Sequence, residues 1–198
     1  MNQPDTIDVL KRIKAFYAKT APSFLKLPDS VIEPATEAEL AEFEQELGFP
    51  LPDNYRKLLL HNDFAILFRG NYRLMSLSQI RYRCAMMKDL VENKHYNDAA
   101  GSEKYESNWY GREIRPMLWN TSWLPFALDS GGNMRCIDPD PDVEGIRGQI
   151  IGSDVSEGPY LQGSISLGHF LQRHLTALEE GDYDLVDEGD GDVFVYMR

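Results

Sequence analysis

The chain has 198 residues, 42% of them hydrophobic and 11% aromatic, so it can bury a core, and one domain with extensions is the simplest organisation. Its net charge of -12 disfavours nucleic acid as a partner, because binding nucleic acid uses a net basic face. No apolar run approaches the roughly 20 residues of a membrane-spanning helix and no secretory signal pattern is present, so we expect a cytoplasmic protein with no membrane partner.

The N-terminal part of the sequence predicts three helices. Residues 5–20 carry apolar side chains at helical spacing. A second helix begins at Thr36, where Thr36 and Glu39 form a capping box, and ends at Gly48, which can adopt the left-handed conformation that stops a helix. A third helix is expected over roughly 53–61, with its apolar side chains turned to the core.

The middle of the chain predicts short strands, a helix and a polar segment. Residues 64–80 indicate short strands around a turn at 69–72. Residues 81–93 predict a helix with its methionines facing inward. Residues 94–110 are polar and poor in aliphatic side chains, which indicates a loop or an insertion.

A β-hairpin over residues 119–138 is the clearest local signal. Two strand-like apolar runs flank Gly131 and Gly132, and glycine reaches the positive φ angles that tight hairpin turns need. Beyond the hairpin, the sequence predicts a strand at 148–151, a helix over 164–178 and an acidic, solvated tail at 179–192, and it is compatible with an edge strand at 193–196.

Acidic side chains concentrate in the C-terminal part of the chain. Residues 120–198 carry four basic and fifteen acidic side chains. An acidic field of this size favours a basic partner and speeds the encounter with it, although acidity can also serve solubility alone. Because basic side chains are scarce there, we expect Trp119, Trp123 and Phe126 to pack between sheet and helix rather than to stack on bases.

A series of short motifs runs in order from the second helix to the last one. Its members are Leu47-Gly48, Leu51-Pro52, Tyr55, Trp123-Leu-Pro-Phe126, Asp129, Gly131-Gly-Asn133, Cys136-Ile-Asp138, Gly148-Gln149 and the Ser-Leu-x-x-Phe-Leu pattern of the last helix. Together they resemble the Smi/Knr branch of the SUKH superfamily, which is named for yeast cell-wall assembly regulators. The resemblance spans about residues 31–175, and the order and spacing of the motifs make it more specific than any single motif.

The resemblance implies an α+β domain with a central, mainly antiparallel β-sheet and helices packed outside it. Bacterial members are typically immunity proteins that neutralise a cognate toxin by direct binding, and fungal members act as regulatory scaffolds. The chain departs from the family pattern at 61–64, where His-Asn-Asp-Phe stands in place of Asn-Gly-Gly. We predict an N-terminal helical extension at 1–30, the SUKH domain at 31–178 with an insertion at about 81–116, and an acidic C-terminal tail at 179–198.

The expected function is non-enzymatic binding of a basic toxin, for example a nuclease, whose substrate-binding surface the chain would cover. The carboxylates expected to face the toxin's lysines and arginines are those of Asp129, Asp138, Asp140 and Asp142. The alternatives are a regulatory scaffold of the cell-wall assembly type and, in a third class, a metal-dependent enzyme that uses the same aspartate cluster.

The aspartate cluster resembles the opening of a calcium-binding loop only in part. Residues 138–142 place carboxylates at alternate positions. Val143 stands where the loop needs glycine, and Gln149 stands where it needs a bidentate glutamate. We therefore expect a proline-stiffened acidic turn that closes a strand, with no metal and no cofactor.

No arrangement of residues in the sequence specifies catalysis. His169 and His174 are five positions apart, whereas zinc-binding pairs on a helix are four apart. A phosphate loop, a nucleophile elbow and a dinucleotide-binding glycine motif are all missing from the sequence. Cys84 and Cys136 are compatible with a disulfide, but two cysteines in a chain without an export signal are more often reduced.

Overall fold

The protein is described by a computed structural model, which covers residues 5–22, 31–63, 66, 68–93, 112–187 and 193–197. The chain forms two compact units, Met1–Leu77 with Gly168–Arg198 and, between them in sequence, Ser78–Leu167. In these residues, no helix combines the length and the apolar character that crossing a membrane requires.

The first unit opens with the helices α1 (Thr6–Thr20), α2 (Glu37–Leu47) and α3 (Asp53–His61). Asp5 caps α1, because its carboxylate accepts a hydrogen bond from the backbone N–H of Ile7 at 2.8 Å. The capping box of α2 is confirmed: Thr36 and Glu39 satisfy each other's backbone N–H groups. Gly48 ends α2 with a φ of 78°.

The C-terminal elements of the first unit are α5 (Leu167–Glu180), β6 (Tyr183–Asp187) and β7 (Val193–Met197). The two strands form an antiparallel ribbon, and Val195 of β7 also exchanges two backbone hydrogen bonds of 2.8 Å with Gly70. His174 of α5 is buried, with its ring 4.9 Å from that of Phe68 and its Nε2 3.4 Å from the hydroxyl of Tyr17. The beginning and the end of the sequence therefore share one core.

The second unit is built on an antiparallel sheet in which β2 (Leu124–Leu128), β3 (Met134–Asp138), β4 (Gln149–Asp154) and β5 (Gly158–Ser164) are consecutive neighbours. The hairpin of β2 and β3 is confirmed, and Gly132 in its turn has a φ of 90°. Cys136 lies between its cross-strand partners Pro125 and Ile151. The α+β class with an antiparallel sheet is confirmed.

Helix α4 (Leu77–Glu92) shares an apolar cluster with one face of this sheet. Trp119 and Trp123 meet edge to face there, with ring centroids 5.4 Å apart, and both are buried. Their burial confirms that they are core residues rather than a platform for bases, and the same holds for Phe126. The buried members of the cluster are Met87, Ile114, Trp119, Trp123, Met134, Cys136 and Ile151.

Strand β5 is the last strand in the order of this sheet. Pro159 lies near its start, and proline in a sheet is tolerated at an edge because it has no N–H to donate. The register against β4 shifts between Ile150 and Ile151, opposite a stretch of β5 in which Gly163 has a φ of 64°. Both features shorten the edge that another strand could pair with.

The sequence predictions fail at three places. Residues 77–80 belong to α4 rather than to a strand, because Ile80 and Met87 lie on the same buried face of that helix. Residues 183–187, predicted as solvated tail, form β6, in which Tyr183 packs near the ring of His174 at 5.5 Å. Strand β5 was not predicted, because its glycines and proline mask the alternation of a strand.

A short strand, β1 (Arg73–Leu74), follows the predicted turn at 69–72, in which the N–H of Phe68 donates to the carbonyl of Tyr72 at 2.7 Å. The predicted loop at 94–110 lies outside the described residues. The three-part division of the chain at residues 31 and 178 stays a prediction.

Candidate functional site

The connection between β3 and β4, residues 139–148, contains most of the candidate residues and is called the acidic loop. Its sequence after Asp138 is Pro-Asp-Pro-Asp-Val-Glu-Gly-Ile-Arg-Gly. The two prolines restrict its backbone. Gly148 closes the loop: its N–H donates to the carbonyl of Asp138 at 2.7 Å, and its φ is 87°. The ends of the two strands therefore set the path of the loop.

Asp138, at the end of β3, supports the acidic loop from inside the protein. Its carboxylate is fully buried and accepts hydrogen bonds from the indole Nε1 of Trp123 at 3.2 Å and from Nε2 of Gln149 at 3.1 Å. It also accepts from the backbone N–H of Asp140 at 3.1 Å. The expectation that Asp138 faces a partner is therefore wrong for this structure, because a buried carboxylate that holds three donors has no exposed surface for contact.

Burial raises the pKa of Asp138 above its ordinary value, and the hydrogen bonds from Gln149, Asp140 and Trp123 oppose that shift. The two influences work against each other because desolvation disfavours the carboxylate, whereas the three donors favour it. The direction of the net shift shows that desolvation is the larger influence.

The acidic loop is also held by hydrogen bonds to Gln149 and to the segment 112–117. Gln149 donates to the carbonyl of Glu113 at 2.8 Å and accepts from the N–H of Ile146 at 3.0 Å. The backbone N–H of Asp142 also donates to the carbonyl of Glu113, at 3.2 Å. Gly145 passes so close to this segment that an added Cβ would lie 2.1 Å from the carbonyl oxygen of Glu113. A residue with a side chain cannot take this position without moving the backbone.

Asp140 is exposed, but its carboxylate is already paired with a cation of the same unit. The Arg115 guanidinium donates to it at 2.8 Å and to the backbone carbonyl of Asp140 at 3.0 Å, and Nδ2 of Asn120 lies 3.4 Å away. The Arg115 hydrogen bond lowers the pKa of Asp140. A cation from a partner would have to share or displace Arg115 to reach this carboxylate.

The rest of the acidic loop combines charge with exposed apolar surface. Asp142 is half-buried and accepts from the N–H of Val143 at 2.9 Å, and Glu144 forms an ion pair of 3.2 Å with Arg112. Val143 is 71% exposed, and Ile146 is also exposed. Single exposed aliphatic side chains are common on protein surfaces, so Val143 and Ile146 make this loop available for protein contacts without indicating one.

Asp129 lies at the opposite end of β3 from the acidic loop, about 14 Å away along the strand. It stabilises the hairpin turn: its carboxylate accepts from the backbone N–H of Asn133 at 2.8 Å and from the Nδ2 of Asn133 at 2.9 Å. The structure therefore brings Asp138, Asp140 and Asp142 together and leaves Asp129 apart. One surface patch cannot be centred on all four aspartates.

The described residues contain no group of three or more histidine, cysteine, aspartate or glutamate side chains arranged to hold a metal ion. Cys84 and Cys136 do not form a disulfide. Burial raises the pKa of the Cys136 thiol well above its ordinary value, which disfavours the reactive thiolate.

The sequence interpretation missed the residues that organise this site, namely Arg115, Asn120 and Gln149. Arg115 and Asp140 are 25 residues apart, and no local pattern signals such a contact. The sequence places Gln149 in a family motif and in the predicted strand at 148–151, but the only role considered for its side chain is that of a calcium ligand, which it does not fit. Its place opposite Asp138 on β4, which the register of the two strands specifies, is what makes it a partner. A strand prediction with the correct register would have found this pair.

Comparison with known proteins agrees with the motifs and the fold. A search of the curated proteins finds no match. The family model described as the SMI1 / KNR4 family (SUKH-1) matches residues 34–173, more than half of the chain and including every residue of the acidic loop and of its supports. The chain belongs to the SMI1/KNR4 family (SUKH-1).

Proposed function

We propose that the chain is a non-enzymatic, cytoplasmic immunity protein that neutralises a cognate basic toxin by binding directly over the toxin's substrate-binding surface. The observation that carries this proposal is the exposure of aliphatic side chains beside carboxylates on the rigid connections of an antiparallel sheet. The net charge of -12 and the compatibility of the family with an immunity or regulatory role support it.

In this mechanism the carboxylates and the apolar side chains have different tasks. Asp129, Asp140 and Asp142 attract the lysines and arginines with which a toxin such as a nuclease holds its substrate, and this long-range attraction raises the on-rate. Buried apolar contacts then slow dissociation, because a few well-packed side chains supply most of the affinity in protein interfaces. Asp138 acts indirectly, by holding the acidic loop in place.

The test begins with the tagged chain as bait in a lysate of its source cells at low salt, followed by elution with a salt gradient. The eluted protein is then expressed in a bacterial host with and without the chain. We expect it to be basic, to arrest growth alone and to be harmless when the chain is present. The on-rate of the purified pair should fall by about tenfold or more between low and high salt.

Three outcomes would count against the proposal. An on-rate that does not change with salt would contradict the electrostatic encounter. A non-toxic partner, for example a kinase or a cell-wall enzyme, would favour the regulatory scaffold instead. Heat released on titration with calcium, magnesium or manganese would favour the metal-dependent enzyme. Substitutions of exposed residues in the second unit, such as Val143→Ser, can be tested for binding to the eluted partner. Their matched control is Val31→Ser, because Val31 is as exposed as Val143 but belongs to the first unit.

A further inference from the structure

Two turns meet at the end of the sheet that lies opposite the acidic loop. The β2–β3 turn contains Asp129 and Asn133, and the β4–β5 turn follows Asp154. The turns are connected, because the backbone N–H of Val155 donates to the Oδ1 of Asn133 at 3.0 Å. We call the surface of this end the tip surface; it consists of the half-buried Asp129 and Asp154 and the exposed Val155, Glu157 and Tyr160.

The carboxylates of Asp129 and Asp154 are held by donors of their own turns rather than by cations. Asp154 accepts from the N–H groups of Ser156 and Glu157 at 2.8 and 2.9 Å, as Asp129 does in its own turn. In the described part of the chain, neither Asp129 nor Asp154 forms an ion pair within 4.0 Å, in contrast to Asp140 and its Arg115. A partner's lysine or arginine therefore meets these two carboxylates without displacing an internal cation.

Tyr160 gives the tip surface an aromatic group in a set position. Its cross-strand neighbour on β4 is Gly152, where an added Cβ would lie 2.3 Å from the Cζ of Tyr160. Only a glycine therefore lets the ring lie over the β4 backbone. Arg135, the neighbour of Gly152 on β3, donates a hydrogen bond to the Tyr160 hydroxyl, with its guanidinium carbon 5.5 Å from the ring centroid.

Apolar surface is exposed both on this strand and in the turn that precedes it. Tyr160 remains 37% exposed, and Val155, in the β4–β5 turn, is 52% exposed. Tyrosine and arginine are enriched among residues that dominate binding energy, whereas valine and leucine are not. The acidic loop contains no aromatic side chain, and its exposed aliphatic side chains are Val143 and Ile146.

We propose that the tip surface is the primary docking site for a basic protein partner. An apolar side chain of the partner packs against Tyr160 and Val155, and its lysine or arginine side chains lie beside Asp129 and Asp154. This inference rests on the proposed function, since it locates the contact that a basic toxin makes. The acidic loop then contributes to the encounter at a distance.

In the experiment, a phage-displayed library of short random peptides is selected for binding to the full chain. The enriched peptides are then synthesised, and their affinity for the chain is measured by calorimetry. The tip variants are Tyr160→Ser and Val155→Ser. Their matched controls are Tyr82→Ser, on the exposed face of α4, and Val143→Ser, in the acidic loop. Thermal unfolding of each variant shows whether it is folded. The substitution Val155→Ser leaves the backbone N–H of residue 155 able to donate to Asn133.

We expect enriched peptides to be basic, to contain an apolar residue and to lose about tenfold or more in affinity with either tip variant but not with the controls. Basic peptides that lose affinity only with Val143→Ser would overturn the tip surface and leave the proposed function intact. Failure to enrich basic peptides would overturn both. A sedimentation experiment in which the chain is dimeric and Val155→Ser is monomeric would show that the surface joins two copies, and would also overturn the inference.

Discussion

Replacement of Asp138 by alanine is the sharpest test of how the acidic loop is held. The substitution removes the acceptor of three hydrogen bonds. Gln149 keeps a partner for its Nε2, because the carbonyl of Glu113 lies 2.8 Å away, and the exposed backbone of Asp140 can turn to water. The indole N–H of Trp123, which is fully buried, loses its acceptor.

The magnitude follows from these contacts. A buried donor left without an acceptor costs about 1–3 kcal/mol, so we take about 2 kcal/mol for the indole, and the lost bond to the Asp140 backbone adds about 1 kcal/mol. The expected loss of unfolding free energy is therefore about 3 kcal/mol. A domain with a stability of about 5–15 kcal/mol tolerates this loss and remains folded.

Urea unfolding at neutral pH, followed by circular dichroism, measures the effect, and with an m-value of about 2 kcal/mol per molar the midpoint should fall by about 1.5 M. The control is a double-mutant cycle with Trp123→Phe, which removes the donor. In that background Asp138→Ala should cost only about 1 kcal/mol, a coupling of about 2 kcal/mol. A coupling below about 0.5 kcal/mol, or a single-variant cost below about 1 kcal/mol, would refute the account.

Three further predictions concern the glycines of the acidic loop, the cap of α2 and the pH dependence of stability. Gly145→Ala should destabilise the chain by about 3 kcal/mol or more, because the added Cβ would overlap the Glu113 carbonyl. Gly148→Ala is the control: the added Cβ would have nothing within 4 Å, and only the positive φ opposes it. We expect it to cost only about 1 kcal/mol in the same urea assay. Thr36→Ala should cost about 1 kcal/mol through loss of the helix cap, whereas Thr36→Ser should cost little; equal losses would contradict the capping role. Because the folded-state pKa of Asp138 is raised, the part of its contribution to stability that depends on protonation is present below the ordinary aspartate value near pH 4. This part is lost as pH rises through the folded-state pKa, whereas the hydrogen bonds to the three donors remain at neutral pH. The difference between the pH–stability profiles of the wild type and Asp138→Asn should show this loss, and parallel profiles would contradict it.

Features that depend on neighbouring residues could be predicted from the sequence. The capping box at Thr36 and the stop at Gly48 involve residues within one turn of a helix, so the local pattern is sufficient. The same is true of the hairpin, where the glycines lie between the two strands that they connect. The family resemblance also depends on such short motifs, and the family match confirms it.

Features that depend on residues distant in sequence could not be predicted in the same way. Aspartate is usually exposed, so no rule of composition indicates that Asp138 is buried while Asp140, two residues later, is not. The pairing of Asp140 with Arg115 requires the path of the chain outside the sheet. The sequence interpretation counted charges correctly but could not tell which of them reach the surface without an internal partner.

The protected edge of the sheet at β5 has a consequence for how the protein behaves when it is abundant. The backbone N–H and C=O groups along the edge strand of a sheet can pair with strands of other chains, which leads to aggregation and fibrils. Pro159 and the irregular backbone at Gly163 interrupt the row of amide groups on which such growth depends. The edge of β5 is therefore a poor template for the addition of further strands, so a protein that contacts this end of the sheet would have to do so through side chains.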